Sequence, residues 1–145
     1  MPDNLDTIGR LEYINFPEWD IFEINAKIDT GAYTSSLHCH HIERFEKEGK
    51  DYVRFNLLDP SHEIYNDRLF ELPVHKIKSV KSSNGESEER IIIEALIELM
   101  DKKIKAELSL TDRSEMRHPV LIGRKLIKNQ FLVDVSKKYI SQKKQ

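Results

Sequence analysis

The stretch that decides the fold is Ala26-Lys27-Ile28-Asp29-Thr30-Gly31-Ala32-Tyr33-Thr34-Ser35-Ser36-Leu37. Apolar residues alternate with polar ones from Ile24 to Ile28, which predicts a half-buried strand that delivers the Asp29 carboxylate into a tight turn. If two such turns meet, Gly31 lets the backbones approach where a Cβ would clash, and Thr30 can hydrogen bond across the junction. Taken alone, an Asp-Thr-Gly triplet is more often a plain structural turn.

Outward from this stretch, short alternating segments predict a chain made mostly of strands. Pro73 favours a sheet edge for one of them, since proline cannot donate to a ladder. One or two helical turns are predicted at Arg124 to Asn129. The predicted strands are Ile21 to Ile28, Ser36 to Ile42, Tyr52 to Leu58, Arg68 to Val74 and Phe131 to Val135, and a compact apolar run at Val120 to Ile122 is closed by Gly123.

The segment from Glu88 to Lys103 is compatible with two structures. Its Glu, Ala, Leu and Met residues favour a helix. However, apolar residues alternate without a break from Ile91 to Leu99, and again from Ile104 to Leu110 after a short polar turn. Two alternating runs around a turn predict a β-hairpin, so the expected fold is all-β, a closed barrel or a sandwich.

Composition limits the class of protein. The 145 residues fit one domain, 1–145, with 1–8 and 137–145 expected to be flexible or peripheral. Lys and Arg number 23 against 25 Asp and Glu, so no basic field for nucleic acid is expected. No apolar run approaches the ~20 residues of a membrane span. One cysteine, Cys39, and no signal sequence favour a cytoplasmic protein.

A second motif, Val120-Leu121-Ile122-Gly123-Arg124, favours a functional interpretation of the Asp29-Thr30-Gly31 triplet over a plain turn. With both, the sequence resembles the retropepsin-like aspartic peptidases, which carry Asp-Thr-Gly-Ala on one strand and later an apolar-apolar-Gly segment followed by Arg and a short helix. The resemblance implies a closed retropepsin-like barrel in which Leu121, Ile122 and Gly123 support the turn.

The sequence is more closely similar to a family described as RimK-associated or "ATP-dependent zinc protease", which is also retropepsin-like. The ordered motifs cover nearly the whole chain. They are Ile28-Asp29-Thr30-Gly31-Ala32, Thr34-Ser35-Ser36-Leu37-His38, Val53-Arg54-Phe55, Glu71-Leu72-Pro73-Val74, Ser83-Asn84-Gly85, Leu108-Ser109-Leu110-Thr111-Asp112-Arg113, Met116-Arg117, Leu121-Ile122-Gly123-Arg124 and Phe131-Leu132-Val133-Asp134.

The resemblance implies an endopeptidase with Asp29, Thr30 and Gly31 as the catalytic turn. Because the chain has a single Asp-Thr-Gly, the second aspartate of the pair must come from a homodimer. The loop from Ser82 to Glu89 is the candidate flap, and Asn84-Gly85 within it is the strongest turn signal. No cofactor is expected, and no Gly-rich Lys-Ser/Thr loop supports a role for ATP.

The resemblance also points to acidic substrates, since relatives are associated with ATP-grasp ligases that append glutamates to proteins or peptides. Guanidinium groups that fork onto carboxylates would suit such substrates. Candidate substrate-binding residues are Ala32, Arg113, Arg117 and Arg124. Together with Arg68 and Arg90 these arginines form one set, and solvated strand faces and surface ion pairs are the competing explanation for every arginine in it. Many retropepsins have an acid soon after the turn to pair with the arginine. Residues 32–36 contain none, so Arg124 needs another partner or points at substrate.

The run His38-Cys39-His40-His41 invites a metal site, but adjacent residues of a strand point apart, so four ligands cannot converge. No His-Glu-x-x-His pattern occurs, and no metal is assigned. A two-histidine site completed by remote carboxylates stays open. Cys39 as a nucleophile lacks an orienting third group. The remaining histidines, His62, His75 and His118, are expected at surface or boundary positions.

Two alternatives to the peptidase therefore remain. One is a non-catalytic retropepsin-like module that binds peptide or mediates dimerisation. The other is a zinc-dependent hydrolase, whose activity a chelator would abolish.

Overall fold

A computed structural model describes residues 5–57, 67–81, 84–112 and 118–141. Strands dominate, with a 3-10 turn at Pro17–Trp19 and one short α-helix in this part of the chain. The elements are β1 (Asp6–Ile8), β2 (Leu11–Phe16), β3 (Ile21–Ile28), β4 (Ser35–Lys47), β5 (Lys50–Leu57), β6 (Leu69–Pro73), β7 (Lys76–Lys81), β8 (Ser87–Leu99), β9 (Lys102–Thr111), β10 (Val120–Ile122), α1 (Arg124–Ile127) and β11 (Phe131–Val133).

The main sheet has the strand order β10-β3-β2-β8-β9-β4-β5-β6, and β10 also pairs with β4. This last pairing closes β3, β2, β8, β9, β4 and β10 into a ring. The ring is not a clean barrel, because β2 and β8 are paired only at Asn15 and Glu98. β5 and β6 continue the sheet outside the ring, starting from β4. β7 pairs with the first half of β8, at residues 87–92, and β1 and β11 form a separate parallel pair. The predicted all-β class is confirmed.

One cluster of buried apolar side chains fills the inside of the ring. Alternation sets which residues enter it: in β3, Ile24, Ala26 and Ile28 are at most 6% exposed, as the period-two pattern predicts. The same cluster extends beyond the ring: the Phe16 and Trp19 rings stack with centroids 4.5 Å apart, and Trp19 also contacts Phe55 and Phe70.

The ambiguous segment is a hairpin, as alternation predicted. β8 and β9 pair antiparallel through a two-residue turn at Met100 and Asp101, whose φ values of 54° and 68° match the right-handed twist of the flanking strands. Pro73 ends β6, the edge strand, also as predicted. The alternation patterns did not reveal β1, β2 or β7.

The two ends of the described chain are held together. β1 pairs with β11, Ile8 is fully buried, and the Arg10 N–H donates to the Lys137 carbonyl at 2.8 Å. Tyr13 stacks on Tyr139 with ring centroids 4.5 Å apart. Long-range pairing thus connects residues 6–8 to residues 131–133, and it connects residues 137 and 139 to the start of β2.

Glu12 is the centre of this closure. Its carboxylate is fully buried and accepts hydrogen bonds from the backbone N–H groups of Gly9, Ile140 and Ser141 at 2.7, 3.1 and 3.0 Å. The Ser141 hydroxyl donates at 2.7 Å. Desolvation of the charge is thus offset by several charge-assisted bonds, and residues 137–141 are fastened to β2. We call this group the Glu12 latch.

Within the described residues, no helix is long and apolar enough to cross a bilayer.

Candidate active site

The Asp29 turn sits where three strands meet. β10 lies between β3 and β4, parallel to β3 with Ile122 opposite Ile28, and antiparallel to β4 with Leu121 opposite Ser36. The short apolar strand thus fills the gap that opens where β3 leaves for the turn and the chain returns as β4. The two motifs singled out in the sequence are in direct contact.

The turn is fixed by its backbone. The Asp29 N–H donates to the Ile122 carbonyl at 2.8 Å, and the Ala32 N–H donates to the Asp29 carbonyl at 3.2 Å. The Asp29 side chain is partly exposed and, among the described residues, accepts one hydrogen bond, from the Gly31 N–H to Oδ1 at 3.0 Å. Thr30 and Gly31 are exposed at the tip. A carboxylate with free acceptor capacity is therefore presented to solvent on a rigid base.

Gly123 is required by close approach of the backbone. A Cβ there would lie 2.6 Å from the Tyr33 carbonyl oxygen and 2.8 Å from the Thr34 carbonyl carbon, distances no side chain adopts. Its N–H donates to the buried Ser35 hydroxyl at 2.9 Å. Ile122 is buried and Leu121 partly so. The predicted support residues and the Asp29 turn are thus adjacent, and Ser35 adds a contact that the sequence did not reveal.

Arg124 has a partner that could not be read from the sequence. Its Nη1 donates to the backbone carbonyl of Thr30 at 2.9 Å, and its guanidinium lies 5.8 Å from the centre of the Tyr33 ring. Its N–H donates to the Ala32 carbonyl at 2.8 Å. A backbone oxygen therefore takes the place of the missing acid, and Arg124 holds the turn. Ala32 is partly exposed beside it. Arg113 and Arg117 lie outside the described residues.

The helix that carries Arg124 is anchored by an ion network. Lys125 Nζ lies 2.8 Å and Lys76 Nζ 3.1 Å from Glu107 Oε1. The hydrogen bond from Lys125, and then that from Lys76, lower the pKa of Glu107 to about 2. The network joins α1 to β9 and β7, and it borders a cleft of about 370 Å³ next to the buried Ser35.

Within the described residues, one group could bring three metal ligands together. The ligand atoms of His75, Glu94 and Glu107 lie within 4.8 Å of one another. The two ammonium groups on Glu107 already balance its charge, and Lys105 lies 3.6 Å from Glu94. The lysine ammonium groups would repel a metal ion bound at these carboxylates. The group therefore suits an ion network of His, Glu and Lys side chains better than a metal site.

The His38 to His41 run departs from simple alternation. A bulge between His40 and Glu43, with φ 55° at His41, brings the rings of His40 and His41 into a stack with centroids 4.2 Å apart. The strict alternation of faces predicted for this run is thus wrong from His40 onward. Cys39 is fully buried, and burial raises the pKa of its thiol to about 12, which removes it as a nucleophile at neutral pH.

The candidate flap is the end of the β7–β8 hairpin. Ser79 pairs with Glu89 and Lys81 with Ser87, so residues 87–89 belong to β8 rather than to a loop. Gly85 has φ 88° and is exposed, as the Asn-Gly signal predicts. Ser82 and Ser83 lie outside the described residues. Further down the same hairpin, Arg90 is directly opposite Lys78.

Comparisons with known proteins give one family for this chain, but the names of the family and of the curated relatives differ. A family model described as "Retropepsin-like aspartic endopeptidase RimB" matches residues 7–144. A Legionella pneumophila protein of unknown function has a similar solved structure, with a TM-score of 0.77, 27% identity, and coverage of 95% of this chain and 99% of that one.

The curated relatives carry another name. A "Probable alpha-L-glutamate ligase" of Shewanella pealeana is 39% identical over 143 residues, which are 96% of this chain and 30% of that protein. One of Desulfotalea psychrophila is 34% identical over 131 residues, 88% of this chain and 27% of that protein. The chain thus spans about three-tenths of the length of these relatives, so their ligase name refers to much longer proteins.

Proposed function

The chain belongs to the RimB-like family of retropepsin-like aspartic endopeptidases, as the sequence motifs predicted, and from this membership we propose that it is an aspartic peptidase. Its acid–base pair is assembled from Asp29 of two copies of the chain. The observation that carries the proposal is the Asp29 turn itself. Its backbone is bonded to β10, while its carboxylate is partly exposed and, among the described residues, accepts a single hydrogen bond.

The second copy is needed because the chemistry requires two carboxylates and the sequence holds one Asp-Thr-Gly. Thr30 and Gly31 are exposed at the tip of the turn, where a symmetry-related turn can approach. A Cβ on Gly31 would meet only the chain's own Asp29 Oδ1, at 3.3 Å, among the residues described. The tip is therefore free to contact its twin across a two-fold axis.

In such a dimer two close carboxylates cannot both ionise, so they share one proton. The ionised Asp29 takes a proton from a water molecule as that water attacks the peptide carbonyl carbon. The protonated Asp29 donates to the carbonyl oxygen. The tetrahedral centre then collapses, the C–N bond breaks and the leaving nitrogen takes a proton from the dyad. Arg124, bonded to the Thr30 carbonyl, keeps the turn in place throughout.

We further propose that the substrate is acidic, rich in glutamate or modified with it. Support comes from the relatives named "Probable alpha-L-glutamate ligase", in which a segment like this chain is part of a longer protein. A ligase that adds glutamates and a peptidase that removes them would bind the same acidic chains. The two activities in one protein would therefore share a substrate class.

The same observation favours one alternative. A domain that makes up about three-tenths of a ligase could bind acidic peptide for that ligase without cleaving it. This alternative is the non-catalytic retropepsin-like module introduced from the sequence, which would have the same fold and bind peptide without hydrolysing it.

A mixing experiment tests the shared dyad. Wild-type chain and Asp29→Asn chain are refolded together in varied ratios, and cleavage of glutamate-rich peptides is measured at constant total protein. If each site needs one Asp29 from each copy, activity falls as the square of the wild-type fraction, to about a quarter at equal amounts. A linear fall would show that one chain suffices.

The matched control is Asp20→Asn, mixed in the same way. Asp20 is exposed and has φ 57°, a conformation that Asn also accepts, so this variant should leave activity constant at every ratio. Equal cleavage by pure Asp29→Asn and wild type would remove the peptidase proposal. Binding without cleavage by both would favour the module, and loss of cleavage on chelation would favour the zinc hydrolase.

A further inference from the structure

A small cavity of about 90 Å³ lies beside the base of the β7–β8 hairpin. This volume is far below the ~300 Å³ at which pockets take whole small ligands, so it suits one side chain of a longer ligand. Two cations, three hydroxyl groups and one apolar side chain surround it. They are Lys78, Arg90, Thr34, Ser36, Ser109 and Ile92.

Strand register brings these residues together on one face of the sheet. Ser36 is opposite Ser109, and Ser109 is opposite Ile92. Arg90 is two residues before Ile92 on β8 and therefore shares its face, and Lys78 is opposite Arg90. Five of the six lining residues are thus on regular strands, which hold side chains more precisely than loops do, and the sixth, Thr34, directly precedes β4.

The pairing of Lys78 with Arg90 breaks a local rule. Like charges directly opposite each other destabilise a β-ladder. The chain as a whole has a net charge of -2, so the pair is not part of a general basic surface. Arg90 Nη2 lies 3.8 Å from the carboxylate of Glu88, but that side chain is 70% exposed, and an exposed pair at this distance is weak. Such a violation on a rigid element is expected where function requires it.

Two polar atoms at the cavity lack partners. Ser109 is 5% exposed, yet its Oγ has no hydrogen bond within residues 5–57, 67–81, 84–112 and 118–141, and neither has the buried Arg90 Nε. Native proteins satisfy nearly all buried polar groups, and a bound ligand is one way to do so. Both unpartnered atoms belong to residues that line this one cavity.

The cavity is close enough to Asp29 to act on the same substrate. Leu121 is opposite both Ser36 and Lys27, so Ser36 is two strand spacings, about 10 Å, from β3, the strand that leads into Asp29. An extended peptide rises about 3.3 Å per residue. A substrate residue a few positions away from the peptide bond that is cleaved at Asp29 would therefore reach the cavity.

We propose that this cavity is a subsite for the carboxylate of a glutamate side chain in the substrate. The proposal rests on the peptidase function proposed above and deepens it by assigning the acidic specificity to Lys78, Arg90 and Ser109. The guanidinium and ammonium groups bind the carboxylate oxygens, the Ser109 hydroxyl donates a further hydrogen bond, and Ile92 contacts the methylene groups. The substrate thus supplies an anion that lies between the two cations.

The test separates binding from cleavage. In the Asp29→Asn background, which removes turnover, the affinity of fluorescein-labelled hexaglutamate and hexaglutamine is measured by fluorescence anisotropy. Arg90→Gln and Lys78→Gln should each reduce the preference for glutamate about tenfold or more, since each removes a charge-assisted hydrogen bond. Ser109→Ala should reduce it about two- to tenfold. Because Lys78 is exposed, its substitution leaves folding intact.

The matched control is Arg54→Gln, which removes the same charge from another partly exposed arginine, on β5, and should change the preference by less than about twofold. The proposal is overturned if Arg90→Gln and Lys78→Gln behave like this control, or if the parent shows no preference for glutamate. If the preference depends on both cations but wild type cleaves neither peptide, the subsite stands and the peptidase proposal fails. The two substitutions are also made in the chain that keeps Asp29. Cleavage by those variants with an unchanged preference for glutamate would support the peptidase proposal and reject the subsite.

Discussion

Glu12 and Asp29 are two carboxylates in opposite situations. Glu12 is fully buried and accepts four hydrogen bonds, from three backbone N–H groups and a hydroxyl. Asp29 is partly exposed and, within the described ranges, accepts one, from the Gly31 N–H. An ionised carboxylate offers about four acceptor positions, so Glu12 uses all of them and Asp29 leaves most of them open.

This difference separates structural from chemical roles. The Glu12 latch fastens residues 137–141 to β2 and has nothing left with which to bind a ligand. The Asp29 turn is held by backbone bonds, through Ile122 and Ala32, so its side chain is free to exchange protons with a substrate. Substitutions of the two residues should therefore affect different measurements.

The largest expected effect is on rate, at Asp29. Asp29→Asn keeps an oxygen for the Gly31 N–H but cannot take or give the proton, so cleavage should fall at least about 10³-fold. The free energy of unfolding should stay within about 0.5 kcal/mol of wild type, because the turn's backbone bonds remain. Peptide cleavage and urea unfolding of the same preparation check both halves. A large loss of stability would mean that Asp29 is structural, like Glu12.

The next effect is on stability, at Glu12. Glu12→Gln places an NH₂ group against backbone N–H donors, and unfolding should become easier by about 2–4 kcal/mol. Cleavage per folded molecule should be unchanged at low temperature. Urea unfolding measures the loss, with Glu98→Gln as the control, since Glu98 accepts a bond from Asn15 that a glutamine oxygen can also accept. Equal losses in the two variants would show that the latch has no special role.

The third effect links the two measurements, at Gly123. In Gly123→Ala the new methyl would meet the Tyr33 backbone, which cannot turn aside, so stability should fall by about 1–3 kcal/mol. The shifted turn should also lower cleavage about 100-fold. Gly49→Ala is the control: its φ of 78° strains the variant while no described atom lies near the added Cβ, so stability should fall and cleavage should not. Unchanged cleavage in Gly123→Ala would mean that β10 does not position Asp29.

Much of this could be predicted from sequence because the deciding patterns are local. Strict alternation identified β3 and the β8–β9 hairpin, and the two short motifs pointed to the contact between β10 and the Asp29 turn. The partner of Arg124 could not be predicted, since a backbone carbonyl acceptor leaves no trace in the sequence. The pairing of β1 with β11 could not be predicted either, because residues 6–8 and residues 131–133 are far apart in the sequence and no local pattern connects them.

The pairing of Lys78 with Arg90 on the β7–β8 hairpin could not be predicted, because it depends on the register of the two strands. A two-residue turn at Asn84 and Gly85 would place Lys78 opposite Ile91, whereas the observed partner is Arg90. A difference of one residue in register moves a side chain to the other face of a strand. The sequence alone therefore could not show that two cations share one cavity with Ser109.

The smallest effect concerns a third carboxylate, Glu107, whose partners are ammonium groups. Its folded pKa of about 2 is below the usual 4.5, so the unfolded chain binds the proton more tightly. The stabilisation is complete above about pH 4.5 and is lost as the pH falls toward 2. Since the lysines are partly exposed and solvent screens them, Glu107→Gln should lower stability by only about 1–2 kcal/mol at pH 7.

Urea unfolding at pH 7, 4 and 3 measures this contribution, with the exposed Glu46→Gln as a control for the loss of one carboxylate. The difference between Glu107→Gln and wild type should shrink as the pH falls, and at pH 7 it should also shrink in 1 M salt, where the Debye length is about 3 Å. The Glu12→Gln difference should resist salt, because its donors are buried N–H groups. A Glu107 difference independent of pH and salt would mean that packing, not charge, holds α1 to β9.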